Sequence, residues 1–361
     1  MAKLIFFSPY PNETNMQDGF FVRVKNIDNV FLQEQRIYLY VSLRRNLRFK
    51  KTEENNKLTI VEANAFFHYF KILSILNCAN IYYVQSLYNY FWTFLFPMKK
   101  NKKIVWDVHG AVSEELAFDG RKTFACWADK IESSLANRAT VIVSVTNAIY
   151  NHLSKKYPKL SKNNIIYPII NNSFFIAVPK ARINALRTEL GIMPDNVVFI
   201  YSGSLIKWQR FDDILNIIKY LNNPVYRFII LTGQVEDALQ KIKDNHLENK
   251  NIVVKTVKPD ELAVYYSLAH YGFILRDNHI LNQVAAPTKL LEYLYYGIIP
   301  IVDYEKIGDF YDLGYQYIDS DAISDNIPIC RSEKNANIIK SFFLISREED
   351  FRKMVLNEIK I

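Results

Sequence analysis

The sequence predicts an α/β fold in two successive units, each a parallel sheet covered by helices. Three observations predict it. At 361 residues the chain is longer than one hydrophobic core usually serves, so two domains are expected. Apolar runs of strand length alternate with amphipathic stretches of helical spacing along most of the chain. Midway, Ile169 to Ala181 (IINNSFFIAVPKA) loses periodicity and carries two consecutive asparagines and a proline, the composition of a linker. Domains are therefore expected at 1–170 and 171–340, with 341–361 a C-terminal helix able to pack back on the first unit.

In the first half, Lys3 to Ser8 reads as a buried strand ending at Pro9. Its apolar run is too short for a signal peptide, so a cytoplasmic protein is expected. A polar loop, Pro9 to Gly19, leads to a helix from Phe20 to Gln33, with Phe21, Val24, Ile27, Val30 and Phe31 at helical spacing. Arg36 to Leu43 and Lys57 to Glu62 read as strands, Ala65 to Leu76 as a helix, and Asn80 to Gln85 and Lys103 to Val108 as strands. Between the last two lies Leu87 to Lys103 (LYNYFWTFLFPMKKNKK), aromatic at first and then basic. Its apolar part, about a dozen residues with Asn89 and Pro97, is too short to cross a bilayer. It reads as a sheet-covering helix ending in a solvated loop, or alternatively as a peripheral contact with an anionic membrane. Helices at Lys122 to Asn137 and Asn147 to Tyr157, a strand at Thr140 to Val145, and Ile165 to Pro168 close this half.

In the second half, strands are expected at Asn196 to Tyr201, Tyr226 to Thr232, Asn251 to Lys255, Tyr271 to Leu275 and Ile298 to Val302. Helices fall at Phe211 to Leu221, Val235 to His246 and Pro259 to His270. A short helix, Tyr304 to Leu313, and a strand-like segment, Tyr315 to Ile318, follow. Ser346 with Glu349 makes a capping box for a last helix, Glu348 to Ile359.

Half of the residues are apolar and 23% are charged, a globular composition. Cys78, Cys126 and Cys330 are too scattered for a disulfide framework or a zinc site. A net charge of +8 suits nucleic acid, an acidic membrane or anionic substrates. No helix-turn-helix, zinc-finger or RNA-recognition pattern accompanies it, so nucleic acid is the least supported of the three.

In open α/β sheets, ligands bind where loops leave the carboxyl ends of the strands. His109 and Gly110 stand at one such end, followed by Ser113, Glu114 and Glu115. Ser202, Gly203 and Ser204 stand at another, with Lys207, Gln209 and Arg210 in the loop beyond, and Arg276, Asp277 and Asn278 at a third. The last of these loops leads into Ala285 to Val302 (AAPTKLLEYLYYGIIPIV), where Pro287 opens a helix and Gly297 stops it. Thr288 and Lys289 then lie at the positive end of a helix dipole, suited to a phosphate, and Glu292 sits one turn in, suited to hydroxyls. A core helix with a surface Lys and Glu, and a structural histidine at 109, are the plainer readings of the same residues.

With these residues in view, the sequence resembles the retaining GT-B glycosyltransferases, in the large family four group that builds bacterial surface polysaccharides. PTKLLEYLYYGIIPIV carries the resemblance most specifically, as PxKxxEYxxxGxxPxI. YSGS after the linker, DVHG followed by Glu114 and Glu115, TVIVSVTNAI, and IIYPIINNSFF support it. It implies two Rossmann-like domains facing a central cleft, with the linker near Asn171 to Pro179 as a hinge. The implied activity is transfer of a hexose-type sugar, with retention, from a nucleotide diphosphate sugar. The acceptor would be a lipid-linked or oligosaccharide one, in capsule, O-antigen, lipopolysaccharide or exopolysaccharide assembly, with no metal cofactor.

By the same resemblance Glu292 would hold the ribose hydroxyls, and Lys289, with Thr288 and the helix amides, the diphosphate. His109 would contact the transferred sugar or support the reaction centre, Gly19 would approach the donor, and Gly203 and Ser204 would line its site. Two positions depart from the pattern. Val284 stands where the family often has a glutamate eight residues before Glu292, and Ser204 and Gln209 replace a frequent basic pair. Lys207, Arg210 and Arg276 are the candidates for the missing charge, with Arg276 catalytic alongside His109 and Lys289. Asn282 or Gln283 is the candidate for the missing sugar contact. Asp319 and Asp321 flank Ser320 without the context of a metal-binding DxD motif. The competing expectations are a nucleotide-sugar epimerase or hydrolase of the same architecture, and a non-catalytic nucleotide-sugar-binding partner.

Overall fold

The computed structural model describes residues 3–12, 15, 18–92, 95–97, 99, 101–168, 176–248, 251–345 and 348–359. The chain divides into two compact units, Met1–Ile170 with Ser346–Ile361, and Asn171–Ile345.

The first unit holds an eight-stranded sheet of β1 (Lys3–Phe7), β2 (Gln35–Ser42), β3 (Lys50–Asn55), β4 (Leu58–Asn64), β5 (Ile81–Gln85), β6 (Lys103–Val108), β7 (Val141–Ser144) and β8 (Asn164–Ile166), in the order β3-β4-β2-β1-β5-β6-β7-β8. All pairs are parallel except β3 with β4. Leu4, Ile5, Phe6 and Phe7 are buried on both faces of β1, which is why the central strands read as unbroken apolar runs. The helix Gly19–Val30 starts where the Asp18 side chain accepts the Phe20 amide, and the helix Asn147–Lys156 where Thr146 accepts the Ile149 amide. The last helix, Glu348–Ile359, packs on this unit: Phe351 stacks on Tyr167 at 3.9 Å and meets Phe31, and Arg352 pairs with Glu34.

Several expectations need correction. Leu87 to Lys103 does not show the expected sheet-covering helix: its described residues hold no α-helix, only the 3-10 turn Leu87–Asn89 and a 3-10 residue at Leu95, while Leu87, Tyr90 and Phe96 are buried. Pro97 and a run of aromatic residues disfavour a regular helix there. The helix expected from Ala65 begins only at Tyr69, because Asn64 accepts the amides of Phe66 and Phe67 and holds a turn. Tyr304 to Leu313 is a series of turns, with Gly308 in the left-handed region at φ 50° where a helix cannot continue. Pro259 to His270 is a 3-10 turn, Pro259–Glu261, and one short helix, Leu262–Tyr266. The capping residue Ser346 and the linker residues 169–175 lie outside the described residues. Strand β3 has no counterpart in the sequence reading, since all of KKTEEN is exposed. Charge of this kind is what keeps an edge strand from pairing further.

The second unit holds a six-stranded, wholly parallel sheet of β9 (Val197–Ser202), β10 (Tyr226–Leu231), β11 (Ile252–Lys255), β12 (Tyr271–Phe273), β13 (Ile299–Val302) and β14 (Ile318–Asp319). Its order is β11-β10-β9-β12-β13-β14. From β9 the chain builds outward through β10 and β11, then returns to the other side of β9 and builds outward through β12, β13 and β14. The direction of winding reverses between β9 and β12, which opens a crevice at their carboxyl ends. Helices Lys180–Glu189 and Glu333–Ile345 belong to this unit and were not anticipated.

One buried ion pair organises the first unit beneath His109. The Arg23 guanidinium, 1% exposed, donates to Asp107 Oδ1 at 2.6 and 2.9 Å and to the Tyr167 carbonyl at 2.8 Å. Replacing Arg23 by Met would leave Asp107 buried and uncompensated, and is expected to lower unfolding free energy by about 3–5 kcal/mol in chemical denaturation. Pairing it with Asp107→Asn should recover part of that loss.

Candidate functional site

The centre of the second unit is the helix Thr288–Tyr295, which carries Leu290, Leu291, Tyr293 and Leu294 into the core. Tyr293 fixes its seat. The ring lies flat against β12 at Gly272, so close that a methyl group on Gly272 would stand 2.3 Å from a ring carbon. Its hydroxyl reaches the last turn of β9, accepting from the Ser202 amide at 3.2 Å and donating to the Ile200 carbonyl at 3.3 Å. The helix is thereby fixed across the crevice between β9 and β12.

That seat delivers Lys289 to the carboxyl end of β9. Its ammonium donates to Gln209 at 3.1 Å and lies 4.2 Å from the centre of the Tyr201 ring. Gly203 makes room for it: φ there is 145°, and a methyl group would come within 2.8 Å of the Lys289 nitrogen. Among the described residues no carboxylate stands within ion-pair distance of Lys289. Burial and then repulsion from Arg276 push its pKa down from 10.5 to about 7, against attraction from Glu292. Arg276 follows β12, held by its amide on Asp303 at 2.7 Å and by its guanidinium on Asn282 at 3.2 Å. It too lacks a carboxylate partner among the described residues, and burial lowers its pKa.

Glu292, 7% exposed, sits one turn inside the helix and accepts from Tyr266 at 2.7 Å, whose hydroxyl also contacts Ser202 at 2.8 Å. Burial raises its pKa to about 7, opposed by the Tyr266 hydrogen bond and the Lys289 charge. The carboxyl group can therefore donate or accept near neutral pH.

The other residues singled out from the sequence fall into different settings. Arg210, left-handed at φ 48°, is committed to three carboxylates: Asp213 at 2.7 Å, Asp277 at 3.5 Å and Asp303. It ties the loops after β9, β12 and β13 together. Lys207 and Thr288 are exposed, and the Ser204 carbonyl accepts from Tyr201 at 2.5 Å. Asn282 is buried between Arg276 and the Asp277 carbonyl, to which it donates at 2.7 Å. Gln283 donates to Asn278 at 2.9 Å on the surface. Val284 is buried, so its packing takes an apolar side chain where the family pattern has a glutamate. Asp319 accepts the Asp321 amide in a 3-10 turn. Among the described residues no group of three or more His, Cys, Asp and Glu is placed to hold a metal ion.

In the first unit, His109 follows β6. Its Nε2 lies 3.0 Å from the Gln85 side-chain oxygen and 3.6 Å from Asp107, and its ring meets Phe20 at 5.4 Å. Burial lowers its pKa more than Asp107 raises it, leaving the imidazole neutral at pH 7. Asp107 is held below the carboxylate range because Arg23 and His109 outweigh the cost of its burial. Gly19, at the start of its helix, is exposed with open space where a side chain would go.

Sequence reasoning missed Tyr266, Tyr293, Gly272 and Asp303 in the second unit, and Arg23 and Gln85 in the first. Most carry no motif. The legible signal was Arg23, a charge on the apolar face of its helix.

No protein-family model matches the chain, and no curated protein sequence matches it. Solved structures do. A structure of Anabaena Alr3699/HepE in complex with UDP and glucose superposes with a TM-score of 0.61 at 12% identity, over 99% of this chain and 97% of that one. The E. coli trehalose-6-phosphate structure bound with UDP-2-fluoro glucose gives 0.65 at 11%, over the whole of both chains. A glycosyltransferase from Rickettsia africae gives 0.56 at 12%, over 99% and 94%. The chain thus has the α/β fold of the GT-B glycosyltransferases.

Two outcomes check this geometry. Gly272→Ala should displace the Tyr293 ring and destabilise the protein by about 1–3 kcal/mol, and Tyr293→Leu in the same chain should recover part of it in denaturant titration. Glu292 holds its proton more tightly folded than unfolded, so its contribution is full below pH 4.5 and is lost as pH rises to about 7. Relative to Glu292→Gln, wild-type stability should fall across that window and then level off.

Proposed function

We propose that the protein is a retaining glycosyltransferase that moves a hexose-type sugar from a nucleoside diphosphate sugar to a saccharide acceptor carried on a lipid. The assembly of a capsule, O-antigen, lipopolysaccharide or exopolysaccharide is the setting that the sequence resemblance suggests. One observation carries the reading: two cations, Lys289 and Arg276, stand without carboxylate partners among the described residues where a parallel sheet reverses its winding, and Lys289 lies in the first turn of a helix. Similar structures bound to UDP and UDP-sugars support it.

On this reading the diphosphate binds to Lys289, Arg276 and the free amides at the start of the helix Thr288–Tyr295. Glu292 binds the ribose hydroxyls, Asn282 the sugar, and Gly203 and Ser204 line the loop beside the phosphates. Arg210 shapes that loop rather than meeting the anion, since its charge is already matched. As the bond from the anomeric carbon to the phosphate oxygen breaks, negative charge gathers on the leaving diphosphate, and the two cations stabilise it. The acceptor hydroxyl bonds to the anomeric carbon from the same face, and its proton passes to the departing phosphate oxygen. His109, neutral at pH 7, is suited to a sugar hydroxyl rather than a phosphate. Gly19 and Lys207 complete the proposed donor contacts, and the reaction as written takes no metal.

An anion beside Lys289 should return its pKa from about 7 toward 10.5, so binding should take up a proton above pH 7. Calorimetric titration with UDP in two buffers of different ionisation enthalpy reads that proton. Lys289→Met should abolish the uptake and weaken binding by about tenfold or more. Binding unaffected by this substitution or by Arg276→Ala would refute the assignment. Incubation with donor alone separates the alternatives: an epimerase changes the sugar and a hydrolase releases nucleoside diphosphate, whereas a transferase requires the acceptor.

A further inference from the structure

On the carboxyl edge of the first unit's sheet, the segments after β2 and β4 are joined by Asn64, which is fully buried. Its side-chain amide donates to the carbonyls of Leu43 and Arg45 at 3.0 and 3.1 Å, and its side-chain oxygen accepts the amides of Phe66 and Phe67 at 3.0 and 3.3 Å. Farther along, the Phe49 ring meets His68 at 5.4 Å, and the Lys71 ammonium lies 4.6 Å from the centre of the same ring. The two segments therefore form one surface of fixed shape.

What that surface presents is unusual. Phe66, Phe67 and Phe70 are 71%, 73% and 83% exposed, and Leu47 is 64% exposed. Leaving large apolar rings in water is unfavourable, so three open rings close in sequence mark a contact surface. Beside them Arg44, Arg45 and Arg48 are exposed, and among the described residues none has a carboxylate within ion-pair distance. Lys50 and Lys51, by contrast, are matched by Glu62 and Glu53.

We propose that this surface docks the protein on an anionic lipid bilayer, with Phe66, Phe67 and Phe70 entering the headgroup layer and Arg44, Arg45 and Arg48 meeting lipid phosphates. Aromatic rings beside unpaired cations are matched by an interface that is apolar and anionic together. A second copy of the chain would also cover the rings, but a two-fold contact sets the same arginines against one another. Phe96 backs this surface: buried, it stacks on Tyr69 at 4.9 Å, next to Phe70 in sequence.

Placement gives the surface a purpose. Strands β4, β2, β1, β5 and β6 lie side by side and parallel, so the patch and His109 share one edge of the sheet. At about 4.8 Å per strand they are roughly 15–20 Å apart, within the span of a short saccharide on a lipid headgroup. This last step rests on the proposed function; the docking itself does not.

Co-sedimentation of the full chain with vesicles tests the proposal, using phosphatidylcholine alone and phosphatidylcholine with roughly a third phosphatidylglycerol. Wild type should pellet with the anionic vesicles at low salt, be released at high salt, and stay in solution with neutral ones. The triple variant Phe66→Ser, Phe67→Ser, Phe70→Ser should partition about tenfold less. Arg44→Gln, Arg45→Gln, Arg48→Gln should lose the preference for anionic lipid. All six side chains are exposed, so both variants should keep the wild-type unfolding temperature and UDP affinity, which separates a lost surface from a lost fold. No binding of wild type to anionic vesicles, or undiminished binding of the phenylalanine variant, would overturn the proposal. So would a wild-type dimer in solution that this variant converts to monomer with vesicle binding unchanged. Vesicle binding without UDP binding would sink the proposed function and leave the docking surface standing.

Discussion

The contact between Tyr293 and Gly272 governs the second unit, because it sets the distance between the helix Thr288–Tyr295 and β12. A Cβ on β12 would push the ring away, and without the ring the helix would lose its hydrogen bonds to the end of β9. The position of Lys289 depends on that seat, since it lies four residues back on the same helix, above Tyr201 and the gap left by Gly203. Glu292, the neighbour of Tyr293, is carried to Tyr266 by the same rotation of the helix. One steric concession, a strand residue without a side chain, thus places the cation and the carboxyl group together.

The cations of the two units are met in different ways. In the first unit, Arg23 meets Asp107, Arg36 meets Asp28, and Lys156 is surrounded by Glu114, Asp129 and Glu132. Each of these charges is matched by its opposite, which is the arrangement that avoids a large desolvation loss, while the buried Lys102 of the same unit is met by the neutral oxygens of Asn77, Ala79 and Asn80 instead. In the second unit Arg210 follows that rule, but among the described residues Lys289 and Arg276 have no carboxylate partner, and burial lowers the pKa of each. An uncompensated pair of cations works against folding unless an anion arrives to offset it. On the proposed function, such a site would trade stability for affinity.

The legible part of this chain was what depends on local pattern. Central strands such as β1 and β9 announced themselves as apolar runs, and the helix at Thr288 was bracketed by Pro287 and Gly297. Strand β3 was illegible because both of its faces are exposed and its six residues carry no periodicity. The expected helix at Tyr304 failed for the opposite reason: Ile307 and Phe310 are buried as helical spacing suggests, but Gly308 turns the backbone left-handed between them. At the site, residue type alone could nominate Lys207, Arg210 and Arg276 as equals. Only the fold shows that Arg210 is matched by three carboxylates, Asp213 on the helix that follows it and Asp277 and Asp303 on two other loops, that Lys207 is exposed, and that Arg276 is half-buried with no carboxylate partner among the described residues. Tyr293 and Gly272 lie 21 positions apart, and no local pattern couples them.

The near-neutral values of Lys289 and Glu292 follow from a shared cause, and this bears on what the site can do. Each is shifted first by burial, the lysine downward and the carboxyl group upward, and each favours the other's charged form only weakly because they do not touch. Had they been in contact, the pair would have ionised together and left no positive charge to spare. Residues three apart are neighbours on a helix face, so what keeps these two groups separate is their partners, Gln209 for Lys289 and Tyr266 for Glu292. On the proposed function an anion at the helix start would recharge Lys289, while a hydroxyl near Glu292 would find either a donor or an acceptor. The different partners of the two side chains, and not their spacing along the helix, are therefore what lets each titrate on its own.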